Sequence, residues 1–261
     1  NHNTSHLAKP YIDGTSQDSA PRGDSHGWFY HIEDTYYFTG NLWIKDWYEF
    51  IAQFRRTRLF QLDPYPNMVS RAQAHSLSNA LQAYKVTGDV ALLKQIVDYV
   101  WTYIEPTQKL RRTGALGNKE AAFQLGFATR FLINLYNEIN DTDTKTKQRL
   151  FNIISGNVQW NVTYSNYSYY IVAEDGVSYS SSGSGASFVD PQAWYAIQTG
   201  NKAYLEHILD YTDDGINGGT RAYEQLRTPW AGDFYGRLSQ VARENSSSLS
   251  QPAPPVVDLS L

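Results

Sequence analysis

The sequence predicts an all-α fold, an (α/α) toroid or partial toroid of antiparallel helical hairpins. Two observations carry this: a repeated Thr-Gly-Asn or Thr-Gly-Asp turn, and helical stretches rich in aromatic residues on either side of it. The turns are Thr39-Gly40-Asn41, Thr87-Gly88-Asp89 and Thr199-Gly200-Asn201. In each, glycine supplies a left-handed helix stop and the Asn or Asp beside it caps the next helix. Between residues 39 and 87 there is room for two helices and a return loop. Stacked units of that length bury the apolar side of each hairpin against the next.

One further hairpin fits between the second and third turns, reversing at Asn140-Asp141-Thr142-Asp143. Its first helix is predicted over 119–139, where Ala122, Leu125, Ala128, Leu132, Ile133 and Tyr136 recur at helical spacing. Residues 161–189, rich in Tyr, Ser, Gly and Asn, interrupt the helical pattern. They predict an irregular or short β excursion, with a strand around Tyr169–Ala173 and a Ser/Gly loop after it. Residues 1–244 form the helical-hairpin domain on this reading. Residues 245–261, with Ser246-Ser247-Ser248 and Pro252-Ala253-Pro254-Pro255, read as a disordered tail or linker. The hairpins are fewer than a closed toroid holds, so further sequence is expected ahead of Asn1.

Composition narrows the function classes. Of 261 residues, 41% are hydrophobic and 18% charged, as in a globular chain. A net charge of −4 argues against nucleic acid as a partner. No apolar run is long enough to span a bilayer, so no membrane partner is expected. The absence of cysteine removes disulfide frameworks, thiolate zinc sites and cysteine nucleophiles. No P-loop, G-x-S-x-G or H-E-x-x-H pattern occurs. Neither a metal nor a cofactor is expected. Sequons at Asn3, Asn140, Asn161, Asn166 and Asn245 point to a secreted or extracellular protein.

The long connections, near 55–66, 106–118 and 161–189, are predicted at the end opposite the Thr-Gly turns, where binding loops usually gather. Polar residues begin the first helix of each hairpin: Asp24, His26, Tyr30 and Asp34; then Arg71, His75 and Asn79; then Glu120 and Gln124; then Asp190. Spacings of four align such residues along one helix face. Each stripe fits a cleft wall, and each also fits a solvent face or a core histidine with its hydrogen bonds satisfied. Two basic clusters stand nearby, Arg55-Arg56-Thr57-Arg58 and Lys109-Leu110-Arg111-Arg112. The first is explained by the negative end of a helix. The second is assigned to a loop and to an anionic ligand. Trp28, Trp43, Trp47, Tyr164, Tyr167 and Tyr179 are of the type that stacks on sugars or fills cores.

Arg22-Gly23-Asp24-Ser25-His26-Gly27-Trp28-Phe29, Tyr36 to Asn41, and Ser70-Arg71-Ala72-Gln73-Ala74-His75-Ser76-Leu77 together carry a resemblance. They resemble the C-terminal (α/α) toroid of the exo-rhamnogalacturonan lyase family and its YetA-like relatives, over roughly the first 140 residues. The resemblance implies N-terminal β domains ahead of the toroid and a polysaccharide or oligosaccharide substrate. The expected activity is β-elimination on an acidic, pectin-like glycan. The chemistry of elimination then assigns the roles. Arg71 binds the uronate carboxylate, helped by Asn79 or Lys109, with Asp24, Trp28, Arg111 and Arg112 also binding substrate. His75 is the base and Tyr30 the acid, with His26 beside them. One alternative is a glycoside hydrolase with paired carboxylates drawn from Asp24, Asp34, Glu120 and Asp190. The other is a non-catalytic, carbohydrate-binding helical scaffold.

Overall fold

The computed structural model describes residues 32–58, 71–112, 119–165, 170–172, 177–178 and 187–208. It is mostly helical. Helix α1 is Ile32–Thr39, α2 Leu42–Arg58, α3 Arg71–Thr87 and α4 Val90–Tyr99. A π-helical turn, Val100–Ile104, joins α4 to α5, Glu105–Arg112. Then come α6, Ala122–Glu138, and α7, Thr144–Trp160, which a second π turn extends over Asn161–Ser165. Helix α8 is Val189–Thr199, and α9 covers residues 202–208.

The three Thr-Gly turns share one construction. Gly40, Gly88 and Gly200 have φ of 63°, 72° and 66°. The preceding threonine donates its hydroxyl to the carbonyl four residues back and accepts the N–H of the residue after the glycine. That next residue then caps the following helix. Asn41 Oδ1 accepts from Trp43 N at 3.0 Å, Asp89 Oδ1 from Leu92 N at 3.1 Å and Asn201 Oδ1 from Ala203 N at 3.1 Å. The turn without glycine works differently. Asn140 folds its side chain onto Thr142, and Asp143 caps α7 through Thr146 N.

The helices lie in two rows. One row is α1, α3, α6 and α8, the first helices of the hairpins; α3 packs on α6 and α6 on α8. The Tyr37 hydroxyl of α1 donates to the Lys85 carbonyl of α3 at 3.0 Å, closing that row. The other row is α2, the α4–α5 helix, α7 and α9. Here α2 touches α4 and α5 touches α7, while each helix also packs on its hairpin partner. Between the rows lies the core, with Tyr48, Ile51, Leu77, Leu92, Ile96, Tyr99, Phe131, Ile153 and Phe188 fully enclosed. Arg56, near the far end of α2, pairs with Asp89 at 3.1 Å. Given a rise of about 1.5 Å per residue, α2 therefore crosses the second hairpin obliquely.

Several sequence-based boundaries move. Helix α4 does not end before Pro106; the chain continues helically to Arg112. The π turn just before Glu105 restarts the hydrogen-bond ladder, so Pro106 sits in a first turn, where its missing N–H and fixed φ are tolerated. Lys109, Arg111 and Arg112 are thus helical and not in a loop. Glu120 does not start a helix either. It belongs to strand β1, Lys119–Ala121, opposite Ile171 of β2, Tyr170–Val172. Strand β3, Val177–Ser178, completes a small antiparallel sheet of order β1-β2-β3. The tail over 245–261 lies outside the described residues.

Candidate functional site

Three helices of the first row, α1, α3 and α6, enclose a cleft of about 260 Å³. Glu33 and Asp34 of α1 face it, as do Ser78, Leu81, Gln82 and Lys85 of α3. Helix α6 adds Arg130, Asn134, Asn137 and Glu138. On α3 and α6 these residues recur at helical spacing, so each helix presents one polar stripe to the cleft.

Glu33 and Lys85 pair within its lining. Lys85 Nζ donates to Glu33 Oε1 at 2.7 Å, and the Glu33 side chain is 12% exposed. The other oxygen, Oε2, is buried and has no hydrogen-bond partner. Burial raises the Glu33 carboxyl above the usual glutamate range; Lys85 pulls it down, and Asp34 and Glu138 push it further up. For Lys85, burial acts downward, but the hydrogen bond and charge of Glu33, with Glu138 and Tyr37, outweigh it and hold the ammonium above its ordinary value. Behind the pair, Tyr48 is fully buried and its hydroxyl meets Gln82 Oε1 at 3.4 Å. Burial first, then the negative charges of Glu33 and Asp34, pushes that phenol up.

Arg130 stands at the other side, with its Nε 3.7 Å from Asp190 Oδ2. Both side chains are nearly enclosed, so this pair fixes α8 against α6 and holds a cation at the cleft wall. Gly126, one turn earlier on α6, lets the backbone ahead of α8 approach closely. A Cβ there would stand 2.2 Å from Ser187 Oγ.

The residues expected from sequence distribute differently. His75 is 1% exposed and packs against Phe127 with tilted rings, centroids 5.1 Å apart. It is a core histidine. Asn79 is also buried, at 3%. The stripe facing the cleft on α3 is Ser78, Gln82 and Lys85, beside the expected Arg71, His75 and Asn79. Arg71 begins α3. Lys109 is an exposed helical residue 3.7 Å from Glu105, which Arg149 also binds. Arg111 and Arg112 end the same helix. Asp34 does reach the cleft, and Asp190 reaches its wall through Arg130. Asp24, His26, Trp28 and Tyr30 lie outside the described residues, as do Tyr167 and Tyr179. Trp43 is exposed at the start of α2, and Trp47 packs edge-on against Tyr48.

Sequence reasoning missed Glu33, Ser78, Gln82, Lys85, Arg130, Asn134, Asn137 and Glu138. The stripes on α3 and α6 were visible as spacing, but nothing marked them over their neighbours. Among the described residues no His, Cys, Asp or Glu cluster could hold a metal ion, and no helix is long and apolar enough to cross a membrane. Comparison with known proteins gives no match to a family model, a curated protein or a solved structure.

Proposed function

We propose that this chain is a carbohydrate-active domain, an arc of an (α/α) toroid, that cleaves glycosidic bonds hydrolytically in the cleft between α1, α3 and α6. One observation carries the reading: Glu33 lines the cleft with one carboxyl oxygen held by Lys85 and the other buried without a hydrogen-bond partner. Proton transfer to a leaving glycosidic oxygen needs a carboxyl that keeps its proton near neutral pH. Burial raises the Glu33 carboxyl from its ordinary value, which is the direction a general acid needs. A second carboxylate must activate water or attack the anomeric carbon, a role we assign to Glu138, which also lines the cleft. The glycosidic C–O bond breaks and the leaving oxygen takes the Glu33 proton. The anomeric carbon takes hydroxyl from water, whose remaining proton passes to the second carboxylate. Ser78, Gln82, Asn134 and Asn137 supply the neutral donors and acceptors that hold sugar hydroxyls.

This reading displaces elimination as the first expectation because the imidazole assigned as its base is enclosed in the core. Incubation with neutral and acidic polysaccharides separates the two. Hydrolysis yields new reducing ends without ultraviolet absorbance. An unsaturated, absorbing product would overturn hydrolysis in favour of elimination, and glycan binding without turnover would leave a binding scaffold.

A further inference from the structure

We propose that the cleft selects an uncharged glycan and rejects uronates, and that Glu138 sets this selectivity. The inference rests on the glycan-cleaving reading of the same cleft. Among the described residues its lining carries the carboxyls of Glu33, Asp34 and Glu138 with the cations Lys85 and Arg130. Both cations are already engaged, Lys85 by Glu33 and Arg130 by Asp190. A carboxylate entering the cleft would have to take a cation from a bonded partner, leaving a buried charge behind.

Glu138 adds the decisive charge. It closes α6 and, among the described residues, makes no hydrogen bond or ion pair, yet its charge acts on both Glu33 and Lys85. A sugar hydroxyl can donate to this free carboxylate, gaining a charge-assisted hydrogen bond. A uronate offers only acceptors at its carboxylate and meets repulsion from the like charge. The same carboxylate therefore attracts one sugar class and excludes the other. The neighbouring amides, Asn134 and Asn137, are indifferent to that distinction because each can donate or accept.

The test measures binding of galactan, glucan and xylan tetrasaccharides and of tetragalacturonic acid to the full chain, by calorimetry at low and high salt. The expected result is that at least one neutral tetrasaccharide binds at least about tenfold more tightly than tetragalacturonic acid at low salt. High salt narrows the gap, because the rejection is electrostatic. Glu138→Gln should bring the two classes within about threefold while circular dichroism shows the helices intact. Glu138→Asp, which keeps the charge, should restore the preference. Equal or tighter uronate binding by the wild-type chain overturns the proposal while leaving the glycan cleft standing. An unchanged ratio in Glu138→Gln overturns the role of Glu138. If no tetrasaccharide of either class binds, the cleft reading fails and this inference fails with it.

Discussion

Lys85 near the end of α3 and Glu33 in the first turn of α1 meet at 2.7 Å, so one ion pair within the cleft lining ties two adjacent hairpins. Lys85→Met should destabilise the chain by about 1–3 kcal/mol, because Glu33 would keep its burial and lose its partner. The partial exposure of Lys85 keeps the loss below that of a fully enclosed pair. Urea unfolding checks the value, and an unchanged midpoint would show that the pair holds nothing together.

Two carboxyls should bend the pH–stability curve in opposite directions. Glu33 titrates above its unfolded value, chiefly through burial, so the folded state binds its proton more tightly. Its contribution is greatest at low pH and falls as pH rises from the ordinary glutamate pKa to the raised one. Glu105 is lowered, chiefly by its hydrogen bond from Arg149. Its contribution is present above the ordinary glutamate pKa and is lost as pH falls through the lowered value. Glu105→Gln should flatten the acid limb, and Glu33→Gln should remove the decline toward neutral pH. Denaturant unfolding across that range, repeated on each variant, reads both signs.

Gly126→Ala tests the seam between α6 and α8. Helix propensity alone predicts a gain of about 1 kcal/mol. The Cβ would meet Ser187 at 2.2 Å from Oγ, 2.7 Å from Cβ and 2.9 Å from the backbone carbonyl carbon, so the seam must open. The expected outcome is a net loss of about 1–3 kcal/mol. Ser187→Gly in the same chain should recover part of it. A stabilised Gly126→Ala would mean that the two segments are not packed this closely.

His75→Ala should act on stability and not on proton chemistry. Removing a buried ring packed on Phe127 costs about 2–4 kcal/mol. The pH dependence of any glycan cleavage should keep its shape, since the ring does not line the cleft. A shifted pH–rate profile in folded His75→Ala would restore the histidine as a catalytic base.

The turns were legible because their causes are local. A glycine at positive φ, a threonine closing back on its own helix and an Asn or Asp cap lie within a few consecutive residues, and the three copies behave alike. Helix continuity past Pro106 was not legible. It depends on a π turn that no propensity marks. The cleft was legible only as a class of feature. Helix α3 carries two polar stripes, Arg71-His75-Asn79 and Ser78-Gln82-Lys85, and helical spacing describes both equally. Which stripe faces the cleft is decided by how α1, α2, α4 and α6 pack around α3, and those contacts are distant in sequence. Glu33 was passed over for the same reason, since only the approach of Lys85 distinguishes it from Asp34.

In the proposed hydrolysis Glu33 transfers the proton that breaks the glycosidic bond. The most direct measurement is kcat of Glu33→Gln against wild type on the neutral oligosaccharide that the full chain cleaves. The expected result is a fall of about two to four orders of magnitude, the range for a general acid, with oligosaccharide binding retained. Cleavage by folded Glu33→Gln at the wild-type rate would contradict it.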